Sequence, residues 1–169
     1  MVAGLFCLAA AASAATVLPA DLAGMVRDSQ SVVHGRVVDI RAGLTAGRRT
    51  IESVVTVAVL DTLKGEIRET VSLRLPGGRV GRYRRITVGA PQFAVGDEVV
   101  LFLKGRPPAL PVPYGLSQGV YRVSRTAGRP LVTPPVPDGP GPVLRGDPSR
   151  RAMPIEAFTQ QVRLLAAGQ

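Results

Sequence analysis

Two groups of side chains in this sequence are of types that could do chemistry. Arg79, Arg82, Tyr83, Arg84 and Arg85 stand together in the stretch RVGRYRR, and Arg48 with Arg49 forms a smaller basic pair upstream. Guanidinium groups at that density attract anions, and a neighbouring tyrosine offers a ring on which a flat group can stack. The chemistry implied is anion binding, with no bond made or broken. The second candidate is His34, the sole histidine, in SVVHGRVVDIR. A general base needs a nucleophile or an orienting carboxylate within reach, and a zinc ligand needs companions. No second histidine exists, and the one cysteine, Cys7, lies in a leader-like segment. His34 is therefore expected to be a structural or surface residue of a strand.

The remaining signals for catalysis are weak. Ser117 in GLSQG stands in a G-x-S-x-G spacing, but a proline-rich loop precedes it and a strand follows it, where a nucleophile elbow needs a strand before and a helix after, and GGRVG lacks the G-K-[ST] ending of a phosphate-binding loop. Asp97 and Glu98 read as turn charges, as do Glu66 and Glu69, all expected to be solvated. A non-enzymatic chain with no catalytic residue, metal site or cofactor is the expectation.

These side chains need a scaffold, and the patterning supplies one that is mainly β. In PADLAGMVRDSQ, Leu22, Met25 and Val26 fall at helical spacing with Asp21 at the start, which predicts a short N-terminal helix. Val32 to Arg41 reads as a strand that bends at Gly35. IESVVTVAVLDTL alternates apolar residues as a second, long strand. A turn at Gly65 leads to TVSLRLP, which Pro76 stops. Residues 77–90 form a glycine-rich basic connection with room for a short strand at Arg85 to Val88. After a turn at Gly96-Asp97, Glu98 to Leu103 is the fourth principal strand, and QGVYRVS is the fifth. Residues 126–152 are too rich in proline and glycine for a central strand and read as a linker or loop. Residues 153–169 read as an amphipathic helix, with Ile155, Phe158, Val162 and Leu165 on one face, docked over an open end of the scaffold.

Composition bears on where the chain works. The first 20 residues carry no charge, and VAGLFCLAAAASAA followed through Ala12-Ser13-Ala14 reads as a signal peptide over residues 1–14. It is shorter than the ~20 residues that span a bilayer. Phe6 before Cys7 does not suit a lipoprotein signal. The expected mature chain is exported without a cysteine or a transmembrane anchor, which fits a bacterial periplasm or the outside better than a eukaryotic secretory route. The net charge is +9, and all but Lys64 and Lys104 of the 21 basic residues are arginines. That balance points to an anionic envelope polymer as partner, with an exported protein bound or inhibited through the loops as the alternative and a hydrolase with an unrecognised site as the third. A GC-rich genome would favour arginine as well. Nucleic acid is not expected: export removes it, there is no Trp, and only Tyr83, Tyr114 and Tyr121 could stack.

VVHGRVVDI, VAVLDTLKGE, PQFAVGDEVVLFL and GLSQGVYRV carry a resemblance that covers about Asp21 to Ser124. The chain resembles the netrin-like, or tissue-inhibitor-of-metalloproteinase-like, branch of the OB-fold, as met in exported bacterial proteins of unknown function. The resemblance implies a five-stranded OB-like barrel over residues 15–125 with a helix at each end. Inhibitors of that fold use an N-terminal cysteine, freed by signal cleavage, to chelate the zinc of an enzyme. Here no cysteine follows Cys7, so that mechanism does not carry over.

Overall fold

A computed structural model describes residues 20–47, 49–126, 128–135 and 151–168. The leader over 1–14, Arg48 and residues 136–150 of the expected linker lie outside the described residues.

Asp21 caps the first helix, α1 (Leu22–Asp28), its carboxylate accepting the Gly24 N–H. The apolar triplet at helical spacing, Leu22, Met25 and Val26, is buried. Strand β1 (Ser31–Leu44) follows, then β2 (Ile51–Lys64), and the two pair antiparallel from Leu44↔Ile51 down to Val32↔Lys64. Only the first part of β1, Ser31 to Arg36, also pairs with β6 (Glu98–Lys104). Against β2 the register of β1 shifts three times, between Val32 and Val33, between His34 and Gly35, and between Val37 and Asp39. Gly35 permits the second, because a Cβ there would lie 2.5 Å from the Ala58 carbonyl oxygen.

β3 (Thr70–Pro76) extends the meander beyond β2. The chain then leaves the main sheet for a hairpin, β4 (Gly78–Val80) and β5 (Tyr83–Arg85), before returning at β6. β7 (Val112–Pro113) touches the end of β6, and β8 (Val120–Thr126) pairs with the start of β6. β9 (Arg129–Thr133) and β10 (Met153–Pro154) extend that side, so the sheet reads β10-β9-β8-β6-β1-β2-β3. Helix α2 (Ile155–Ala167) ends the chain.

The five principal strands expected from the sequence are β1, β2, β3, β6 and β8, and both helices are present. Three expectations are corrected. No closed barrel is found: among the described residues no ladder joins β3 to the far edge, and one backbone bond, Arg74 N–H to the Pro111 carbonyl at 2.8 Å, bridges β3 to the chain before β7. The segment that runs past β3 carries Pro107, Pro108, Pro111 and Pro113, which have no N–H to donate to a ladder. The segment assigned to a linker contributes β9, because Pro130 stands early in a strand where a missing donor is tolerated. In the basic connection the short strand is Tyr83–Arg85, a little before its expected place, and it is half of a hairpin.

Two cores lie on opposite faces of the curled sheet. Val33, Val37, Val55, Val57, Leu73, Leu75, Val99, Leu101, Leu103 and Val120 fill the inner one. On the outer face, α1 and α2 bury Met25, Val26, Ile155, Phe158 and Val162 against Val32, Val100, Phe102 and Tyr121. α2 therefore packs on a face of the sheet and does not plug the end of a barrel. Alternation along β6 sends Val100 and Phe102 outward and Val99, Leu101 and Leu103 inward, so the strand is buried on both sides. No described helix is long and apolar enough to cross a membrane.

Candidate functional site

The basic cluster is carried by the β4–β5 hairpin. At the end of β3 the Gly77 N–H bonds to the Ile51 carbonyl at 3.0 Å, and the Ser53 hydroxyl donates to the Gly77 carbonyl at 2.8 Å. Gly78 has a φ of 138°, and a Cβ on it would collide with the Ser53 hydroxyl oxygen and lie 2.9 Å from the Ala42 Cβ. A residue with a side chain could neither turn nor sit so close. The glycine pair thus folds the hairpin back beside the distal ends of β1 and β2.

In the hairpin, Arg79 stands directly opposite Arg84, Gly78 opposite Arg85 and Val80 opposite Tyr83. At the tip the Arg82 guanidinium lies 5.1 Å from the centre of the Tyr83 ring and donates to its hydroxyl at 2.9 Å. Arg79 Nε donates to the Gly81 carbonyl at 3.2 Å. Among the described residues none of Arg79, Arg82, Arg84 and Arg85 meets a carboxylate. By contrast Arg27, Arg36, Arg41, Arg68, Arg74, Arg122, Arg125 and Arg163 each pair with one. Opposed like charges on neighbouring strands repel. A carboxylate, sulfate or phosphate between Arg79 and Arg84 would remove that repulsion and accept two-point hydrogen bonds from guanidinium groups.

Beside the hairpin opens a cleft of about 350 Å³. Arg79, Arg84 and Arg85 of the hairpin are among its lining residues, and Ile40, Val55, Leu75 and Phe93 supply its apolar part. It is the distal, open end of the inner core. Arg82 and Tyr83 lie at the exposed hairpin tip, and Arg49 lies in the β1–β2 turn; none of the three lines the cleft. The expected site thus divides into three arginines on the cleft, a stacked pair at the tip and a separate loop position.

Sequence reasoning missed Phe93 and the means of holding it. Arg122 on β8 donates to Asp97 Oδ2 at 2.8 Å, donates to the Gln92 carbonyl, and has its guanidinium 5.9 Å from the centre of the Phe93 ring. Asp97 also accepts the Ala94 N–H at 2.9 Å. Partial burial pushes the Asp97 pKa up, but the Ala94 N–H and the bond and charge of Arg122 outweigh it and lower the pKa from its ordinary value. The stretch PQFAVGD is in this way fastened to the sheet with its aromatic ring on the cleft wall.

His34 also has a partner that the sequence did not reveal. Its Nε2 lies 3.0 Å from Glu98 Oε1, and the other oxygen of Glu98 accepts from Arg36 at 3.1 Å and Arg125 at 3.2 Å. The Glu98 side chain is only 10% exposed, which corrects its reading as a solvated turn charge. The four residues tie β1, β6 and β8 together on the outer side. Burial raises the Glu98 pKa, yet hydrogen bonds from His34, Arg36 and Arg125, with the Arg125 charge, hold it below its ordinary value. Glu98 therefore stabilises the fold above the ordinary carboxylate range, and that contribution is lost as pH falls through the depressed value. Glu98→Gln is expected to lower stability by about 1–2 kcal/mol near neutral pH, since two of the cations are half exposed and screened. The deficit relative to the parent chain should vanish in acid. Thermal melts of both proteins across pH check it, and an acid-independent deficit would mean that the charge of Glu98 is not what matters.

Among the described residues no three His, Cys, Asp or Glu side chains converge to hold a metal ion. Compared with known proteins, the chain matches no family model, no curated protein and no solved structure.

Proposed function

We propose that the chain is an exported, non-enzymatic binding module whose β4–β5 hairpin holds an anionic polymer of the cell envelope. One observation carries the reading. Among the described residues the arginines of the hairpin stand opposed and adjacent without a carboxylate, whereas eight other arginines each pair with one. Unneutralised cations in such a group lower the free energy of any anion that settles among them, and their fields add. A leader ending near Ala14 supports export to the periplasm or beyond. The meander β1-β2-β3 with β6 on the other flank of β1 supports an opened, netrin-like OB scaffold, a type of barrel that binds ligands between its loops.

A matched pair of variants tests the reading. Arg79, Arg84 and Arg85 are changed together to Ser in one, and the dispersed, exposed Arg106, Arg129 and Arg151 in the other, which removes the same charge. On a heparin or lipopolysaccharide resin the hairpin variant should elute at much lower salt. The slope of log affinity against log salt should fall by roughly 2–3 units, taking ~0.7–0.9 per neutralised charge as for nucleic acids. Melting temperatures should stay within a few degrees, because exposed charges away from packing contribute under about 0.5 kcal/mol each. Equal losses in the two variants would mean that net charge alone acts and that the hairpin is no site.

A further inference from the structure

On the anion-binding reading of the hairpin, we infer that the adjoining cleft takes the apolar tail of an amphiphile whose anionic head lies on Arg79, Arg84 and Arg85. A site for anions alone has no use for an aliphatic floor, yet this cleft is lined both by Arg79, Arg84 and Arg85 and by Ile40, Val55, Leu75 and Phe93. Its volume of about 350 Å³ falls at the small end of the ~300–1,000 Å³ of small-molecule pockets, enough for a short alkyl chain or one ring. Ile86, 66% exposed on the same rim, supplies apolar surface at the mouth. Phe93 is held by Arg122 before any ligand arrives, so little ordering is needed on binding. Head and tail sites are contiguous, and each recognises a different part of one molecule.

The test uses the whole protein and sodium alkyl sulfates with four to ten carbons, kept below their micelle concentrations, with inorganic sulfate as the tail-free reference. Affinity should rise about fourfold per added CH₂, which corresponds to ~0.8 kcal/mol for each buried methylene, and level off once the cleft is full. Phe93→Ser should flatten that rise while leaving retention on heparin unchanged. The Arg79/Arg84/Arg85→Ser variant should weaken the whole series by a similar factor without changing its slope. Sedimentation with phosphatidylglycerol vesicles separates the sources of such a ligand. Vesicle binding that Phe93→Ser abolishes assigns the tail to a membrane lipid, and binding of free alkyl sulfates alone assigns it to a soluble amphiphile. If heparin retention depends on the hairpin but affinity does not grow with chain length, or grows equally in Phe93→Ser, the tail site is overturned and the polymer reading stands. If neither heparin nor octyl sulfate responds to the hairpin arginines, both fall.

Discussion

Phe102→Ala is expected to destabilise the folded chain by about 3–5 kcal/mol, the loss typical of a fully buried phenylalanine. Phe102 is wholly buried, and its ring lies 5.5 Å from that of Tyr121 and 6.4 Å from that of Phe158. The ring of Tyr121 in turn lies 4.9 Å from Phe158, so the three rings form one contact group between the sheet and α2. Removing the central ring leaves a cavity that the paired backbone of β6 cannot close, because β6 is held by β1 on one side and β8 on the other. The melting temperature should fall by roughly 6–20 °C at ~2–4 °C per kcal/mol for a chain of this size. Circular dichroism melts decide it, and a loss below about 1 kcal/mol would show that α2 does not pack on the sheet as described.

The second large effect is expected at Gly35. An added Cβ would meet the Ala58 carbonyl oxygen at 2.5 Å and Val57 Cγ1 at 2.6 Å. The oxygen belongs to backbone that also pairs with β3, so it cannot retreat without disturbing two ladders. Gly35→Ala should therefore cost at least the ~1–3 kcal/mol usual for overpacking, and Gly35→Val more. Gly43, on the same strand, is the control, since a Cβ there meets nothing within 4 Å. Gly43→Ala should leave stability unchanged or raise it by up to about 1 kcal/mol, because alanine restricts the unfolded chain. Urea denaturation of the two variants compares them directly, and equal stabilities would remove the close approach at Gly35 as an explanation for the bend of β1.

The parts of the fold that could be read from the sequence are those with a period. Val55 and Val57 alternate with half-buried neighbours along β2, and Ile155, Phe158 and Val162 recur at helical spacing, because each pattern reflects one buried face. Gly35 stood out because a glycine among β-branched residues has few other uses. β9 was hidden, since RPLVT is short and its proline argues for a loop, whereas its pairing with β8 depends on a chain reversal at Gly128. The hairpin strands have three residues each, too few for any period to show. The arginines of the candidate site were visible by number alone. Their cleft was not, because Ile40, Val55, Leu75 and Phe93 come from four separate segments that meet only after the sheet curls. Glu98 looked like part of a turn for a related reason: its partners His34, Arg36 and Arg125 lie far from it in sequence, and no local pattern records them.

The double burial of β6 has a consequence for how the molecule comes apart. Val100 and Phe102 belong to the helix-covered core, and Val99, Leu101 and Leu103 to the inner one, so every second residue of one strand is a member of each. Any opening that withdraws β6 from one core tears it out of the other as well. The helical layer and the curled meander are therefore expected to unfold as a single cooperative unit, with the amide hydrogens of Val99 to Leu103 exchanging only through global unfolding. The β4–β5 hairpin, three residues to a strand and joined to this unit at its margin, is expected to open at lower cost and without loosening the scaffold that carries it.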